Sequence, residues 1–133
     1  MSEKSLSNRQ LDIRLPFTYY VYMVEFGEEN IDKALADVKS RLSALLRGRL
    51  LKLALYGSRA RGDYDSNSDI DIAVIVKDLD RDLKMQILEE VADIELEYLT
   101  PLSTLILSEE TYRKLLRRER RVALDIEKEG IAL

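Results

Sequence analysis

The 133-residue chain contains no His, no Cys and no Trp, and only two Pro and five Gly. Without His or Cys there is no Ser-His-Asp triad, no Cys nucleophile, no disulfide framework and no Cys/His zinc site. Acid–base or metal chemistry therefore falls to Asp, Glu, Lys, Tyr, Ser or Thr, and carboxylate oxygens favour hard cations such as Mg²⁺. Side-chain amides are also scarce: Asn8, Asn30, Asn67, Gln10 and Gln86 are all of them. Few amides, no Cys and abundant charge suit a thermophile. No apolar run approaches membrane-spanning length, and the start Met1-Ser2-Glu3-Lys4 lacks the apolar region of a signal peptide. A cytoplasmic location and no membrane partner are the expectation.

What is present is charge and apolar residues in balance. Lys and Arg number 21 and Asp and Glu 25, for a net charge of −4, with 35% charged and 46% hydrophobic residues. This is the composition of one globular domain with a heavily charged surface. The acidic balance argues against a dedicated DNA- or RNA-binding module, whose footprint is basic.

Along the chain, residues 1–15 are polar and mixed in charge, an N-terminal arm. After Pro16, the run Phe17-Thr18-Tyr19-Tyr20-Val21-Tyr22-Met23-Val24 is dense in aromatic and β-branched residues and reads as a strand by propensity, with an aromatic-rich helix left open. Its Tyr cluster, without interleaved bases, reads as core or a subunit interface. Ile31, Leu35, Val38, Leu42 and Leu45 then fall on one helical face up to Gly48. Leu50–Tyr56 and Asp69–Lys77 read as strands, with a loop or short helix over Ser58–Ser68 between them. Helical spacing resumes through Met85, Leu88, Ala92 and Leu99, alongside Ile87, Val91, Ile94 and Tyr98. A third strand over Ser103–Leu107 follows, then a helix opening at Ser108 and continuing with one break to Glu129. The alternation predicts an α/β (α+β) domain with a small mixed sheet flanked by helices and at least one crossover.

The chemistry is concentrated in Gly57-Ser58-Arg59-Ala60-Arg61-Gly62 and Ser68-Asp69-Ile70-Asp71-Ile72. Carboxylates at i and i+2 of a strand project from the same face and repel each other. A bound divalent cation removes that repulsion. Upstream, a glycine lets backbone approach a ligand, and a Ser hydroxyl with the following N–H groups can hold phosphate oxygens. A phosphate cradle beside a carboxylate pair is the equipment for phosphoryl or nucleotidyl transfer. Taken singly, Asp-x-Asp is as often a solvated strand edge, Gly-Ser an ordinary turn, and Arg59 and Arg61 surface charges.

Gly57-Ser58, ten intervening residues, then Asp69-x-Asp71 and an apolar run resemble the signature of the nucleotidyltransferase superfamily that includes the DNA polymerase beta palm. The wording Gly-Ser-Arg-Ala-Arg-Gly with Ser-Asp-Ile-Asp, on so short a chain, resembles its minimal branch, the MNT proteins that serve as antitoxin partners of HEPN toxins. The resemblance covers about Glu28 to Gly130, which places the minimal nucleotidyltransferase domain at 28–133 and leaves 1–27 as an arm of uncertain structure. It implies a palm-like fold, Gly57 and Ser58 against the phosphates of ATP, and Asp69 and Asp71 as catalytic ligands of Mg²⁺, with two ions possible. Arg59 and Arg61 become auxiliary phosphate contacts. AMP would pass to a tyrosine hydroxyl of the HEPN toxin partner.

One departure stands out. Catalytic members of the superfamily usually carry a third carboxylate on the next strand, and Ser103–Leu107 has none. Glu95 or Glu97 could serve only if Ile94–Tyr98 were that strand, and its spacing is helical. A nucleotidyltransferase-fold module without activity, neutralising its partner by contact alone, is the rival reading; transfer to a small molecule is a further one. The segment Lys114–Arg121 carries five bases and one acid. It reads as a solvated helix face, or as a contact for an acidic partner or an RNA end. The sequence leaves a homo-oligomer open.

Overall fold

Apolar residues at helical spacing, uninterrupted until Gly48, build the first long helix. The computed structural model describes residues 17–65 and 68–133, with side chains from Asn30 onward. Helix α1 spans Phe17–Leu46 and ends in a 3₁₀ turn at Arg47–Arg49. Its buried ridge is Ala34, Val38, Leu42 and Leu46. Ile31, Leu35 and Leu45 pack at its sides.

The strand expected over Phe17–Val24 is replaced by the first turns of α1. Strand propensity expresses fit to a pleated, half-buried surface, and among the described residues no strand pairs with this segment. Extending an existing helix costs far less than nucleating one, so the segment continues the helix that residues 30–46 anchor. The helix runs through the 27/28 boundary; residues 1–16 of the arm lie outside the described residues.

Strand β1 is Leu50–Tyr56, the short helix α2 is Ser58–Arg61, and β2 is Asp71–Val76. Helix α3 (Arg81–Tyr98) crosses to β3 (Ser103–Ser108), followed by α4 (Glu109–Arg117), α5 (Arg121–Glu129) and a two-residue β4 (Ile131–Ala132). The sheet order is β3-β2-β1-β4, with β2 and β3 parallel and the other pairs antiparallel. The mixed α/β architecture is the one the alternation implied. β4 was not foreseen, because two residues carry no pattern; the Leu133 amide extends the pairing by donating to the Leu53 carbonyl at 3.0 Å.

Caps fix the helix starts. The Asp80 side chain accepts from the Leu83 amide at 2.8 Å, and that of Ser108 from Thr111 at 3.1 Å. On one sheet face, Ile72, Val74 and Val76 meet α1 and α3; on the other, Ala73 and Ile75 meet Tyr112, Ala123 and Ile126 of α4 and α5. Because β2 is covered on both faces, its run is apolar without alternation after the first residue. Tyr112 is buried and donates to Glu127 at 2.6 Å, joining α4 to α5. Among the described residues, no helix is long and apolar enough to cross a membrane.

Candidate active site

The site forms at one end of the sheet, where β1 finishes and the parallel strands β2 and β3 begin. Tyr56, the last residue of β1, pairs with Asp71, and Asp71 pairs on its other side with Ser103. Gly57 then turns the chain with φ +76° and ψ −153°, a conformation open essentially to glycine. A Cβ at this position would lie 2.6 Å from Asp71 Oδ2. The bare Gly57 backbone is therefore packed against the Asp71 carboxylate.

Asp69 lies two residues before β2 and is exposed, while Ile70 and Ile72 on either side of Asp71 are buried in the α1/α3 core. The Ser103 amide donates to the Ile70 carbonyl at 2.9 Å, holding this stretch extended beside β3. An open cleft of about 600 Å³ adjoins Asp69, walled by Ile31, Arg59, Ser68, Ile70 and the 99–103 segment; Gly57, Ser58 and Asp71 lie outside this lining. That volume falls within the range of small-molecule sites.

Of the two arginines, Arg59 lines this cleft and its guanidinium lies 4.2 Å from the centroid of the Tyr64 ring. Arg61, two residues on, is turned elsewhere: it sits 3.2 Å from Asp63 and 3.4 Å from Glu129 of α5. Ser58 begins α2 between Gly57 and Arg59; the Arg61 and Gly62 amides donate to the carbonyls of Gly57 and Ser58 at 3.1 and 3.0 Å. The structure thus brings Gly57 together with Asp71, sets Arg59 and Asp69 on one cleft, and leaves Arg61 outside its lining.

Burial, then the neighbouring Asp71 and Asp125 carboxylates, raise the Tyr56 hydroxyl above its ordinary pKa. Asp125 of α5 is thus placed near this end of the sheet. Sequence reasoning missed it, since one Asp in an amphipathic helix carries no signal.

Glu95 and Glu97 both lie in α3, as their spacing implied. Glu95 accepts the Leu102 amide at 2.9 Å and so ties down the cleft wall, and Glu97 pairs with Arg41 at 2.9 Å. β3 carries no carboxylate. Among the described residues no three acidic side chains gather as a metal cluster. The carboxylates that could serve a cation at this end of the sheet are those of Asp69 and Asp71. That set fits Mg²⁺, which takes one or two carboxylates and fills its octahedron with water and substrate phosphates.

Residues 41–125 match the family described as Polymerase beta, Nucleotidyltransferase. The chain belongs to this nucleotidyltransferase family. Two relatives from Methanocaldococcus jannaschii are provisionally named protein adenylyltransferases. One is 38% identical over 85 residues, covering 64% of this chain and 81% of the relative. The other is 39% identical over 49 residues, covering 37% of this chain and 50% of the relative. Among solved structures, a provisionally described nucleotidyltransferase from Sulfolobus solfataricus has a TM-score of 0.40 at 20% identity, covering 84% of this chain and 79% of that one. A toxin–antitoxin structure, MntA-HpeT, has a TM-score of 0.40 at 23% identity, with coverages of 70% and 69%. The minimal-nucleotidyltransferase reading of the motif fits this family.

Proposed function

We propose that this nucleotidyltransferase is a Mg²⁺-dependent protein adenylyltransferase that moves AMP from ATP to a tyrosine hydroxyl of a HEPN-type toxin and acts as its antitoxin. The observation that carries the reading is the Gly57 backbone packed on the Asp71 carboxylate, with Asp69 two residues earlier lining an open cleft. Asp69 and Asp71 hold the metal, with two ions possible, and the cleft receives the nucleotide with its phosphates toward Gly57-Ser58. Mg²⁺ bound there neutralises charge on the triphosphate. Gly57 leaves room for that approach, and Arg59 offers its guanidinium from the cleft wall. Arg61, held by Asp63 and Glu129, is kept as an auxiliary contact only if it leaves those partners. The domain assignment 28–133 is retained, with 1–27 outside it.

In the transfer, the tyrosine oxygen bonds to the α-phosphorus, the bond to the β-phosphate oxygen breaks, pyrophosphate leaves, and the tyrosine proton passes to water. A phenol has a pKa near 10, far below that of an aliphatic alcohol. A tyrosine acceptor therefore asks less of a general base than an aliphatic alcohol would. Incubation with labelled ATP, Mg²⁺ and a HEPN-type toxin, taken from the gene next to this one if such a toxin is encoded there, is the direct test. Label on a toxin tyrosine is expected, and transfer undiminished in an Asp69→Asn/Asp71→Asn double variant would overturn the proposal.

One observation favours a second reading, in which the fold binds and neutralises its partner without chemistry: β3 has no acid, and Glu95 and Glu97 are engaged elsewhere. Neutralisation that survives the double variant selects this reading.

A further inference from the structure

The cleft beside Asp69 has one wall that carries apolar surface and keeps no amide for a ligand. That wall is the connection from α3 into β3, Leu99 to Ser103. The Leu99 and Thr100 amides both donate to the Glu95 carbonyl, the second at 3.1 Å, and the Leu102 amide donates to the Glu95 carboxylate at 2.9 Å. Pro101 has no amide hydrogen, and the Ser103 amide donates to the Ile70 carbonyl at 2.9 Å. The Thr100 hydroxyl is spent in the same way, donating to the Tyr98 carbonyl at 2.9 Å. What the wall presents instead is the side chain of Leu99, 80% exposed, and that of Pro101, with Ile31 of α1 in the same lining.

Leu99 is the telling residue. Its backbone is left-handed, φ 50° and ψ 43°, the helix-ending conformation that glycine or asparagine ordinarily takes. A branched side chain is strained there, and the fold buries little of this one. Among the described residues, the other non-glycine positions with positive φ are Arg47, Asp78 and Glu119, all charged. A strained, exposed apolar side chain on a cleft wall marks a place where a ligand is met.

Under the adenylyltransferase reading, on which this inference rests, the phosphates lie toward Gly57-Ser58 and the nucleoside fills the cleft. Each nucleobase carries an acceptor on its pairing edge (adenine N1, guanine O6, cytosine N3, uracil O4), so reading that edge takes a protein donor. The wall has no donor left. Of the side-chain donors in the lining, Ser68 is turned to Asp65, Ser103 stands in register with Asp71, and Arg59 serves the phosphates in that reading. We propose that the cleft holds the nucleobase by apolar contact without reading it, so that the donor substrate is any nucleoside triphosphate and ATP is one of four. Purines are favoured modestly, for their larger area. The chemistry is common to all: the acceptor oxygen bonds to the α-phosphorus and pyrophosphate leaves, whichever base is attached.

Binding and transfer are measured separately on the full chain. Calorimetric titration with the Mg²⁺ complexes of ATP, GTP, CTP and UTP, each to about 5 mM, reaches beyond the ordinary range of KM. The four dissociation constants should agree within about tenfold, and those of ATP and GTP within about threefold. Leu99→Gly should weaken all four in the same proportion, by about three- to tenfold. The thermal midpoint of the unliganded variant should hold or rise, because the left-handed strain is relieved. A residue that merely shaped the loop would lower midpoint and affinity together. ATP bound about a hundredfold or more tighter than GTP, the mark of an edge read by hydrogen bonds, overturns the inference and leaves adenylyl transfer standing. Unchanged binding in Leu99→Gly does the same. Even binding of all four, with no label passed from any of them to a HEPN-type toxin, overturns the transferase reading and leaves the cleft assignment standing. No binding of any nucleotide overturns both.

Discussion

The two ends of β2 are built from the same backbone and serve opposite purposes. At its start, Asp71 lies against the bare backbone of Gly57, with Asp69 two residues before it and a cleft alongside. Four residues on, Ile75 and Val76 are covered from both faces, and Val74 and Val76 have no exposure at all. The head of the strand places like charges together and leaves them open; the body spends every position on packing. A site can sit on so short a strand because the body holds the head rigid. Catalytic positions and stabilising positions should therefore separate cleanly under mutation.

The largest effect is expected at the head. Asp69→Asn/Asp71→Asn should lower adenylyl transfer by about a thousandfold or more, the scale of losing the groups that stabilise transition-state charge. The thermal midpoint should hold or rise, because a repulsive pair is neutralised; a large drop would show that the pair is structural. Next comes the body. Ile75→Ala empties a fully packed position and should cost about 2–5 kcal/mol in urea unfolding, while activity per folded molecule stays within about twofold. Gly57→Ala joins the two regions: the Cβ meets Asp71 Oδ2 and the backbone is one that side chains avoid. Both a loss of about 1–3 kcal/mol and a fall in activity are expected from the one change. A fall in stability alone would separate Gly57 from the site.

Smaller effects sharpen the contrast. Arg59→Ala should raise the KM for ATP about tenfold, whereas Arg61→Ala should leave it within about twofold, since Arg61 already pairs with Asp63 and Glu129. Equal effects would mean that the guanidinium of Arg61 swings into the cleft. Far from the site, the hydrogen bond with Tyr112 and then the proximity of Lys52 lower the Glu127 pKa, while burial and the same hydrogen bond raise that of Tyr112. A lowered carboxylate stabilises the fold above its unfolded pKa, and that contribution is lost as pH falls through the folded value. A raised phenol contributes fully below about pH 10, and its contribution is lost as pH rises through the folded value. Tyr112→Phe should therefore cost about 1 kcal/mol or less at neutral pH. The gap to wild type should close as pH falls below about 4. A gap that persists at pH 3 would assign the effect to packing.

Much of this was legible in the chain. The Leu50–Tyr56 strand, the helix through Tyr98, the third strand and the broken C-terminal helix occur where periodicity and caps put them. The Gly57-Ser58 and Asp69-x-Asp71 motif occurs where one strand ends and the next begins. The failures share a cause. Phe17–Val24 has strand propensity but among the described residues no strand to pair with, and it became helix. Ile131–Ala132 has no pattern, yet pairs with β1 because α5 delivers it there. Arg59 and Arg61 look equivalent in the motif, and only α2 and the end of α5 separate their surroundings.

The amino-acid order by itself determined most of the elements, the Asp69-x-Asp71 spacing at the head of a strand, and the exclusion of all His and Cys chemistry. These follow from backbone periods of two and 3.6 and from side-chain chemistry, both local properties. Tertiary structure alone decided that Gly57 would touch Asp71 and that Glu95 and Glu97 would be taken up by Leu102 and Arg41. Contacts between residues distant in sequence depend on how whole elements pack, and no window of the chain contains that information.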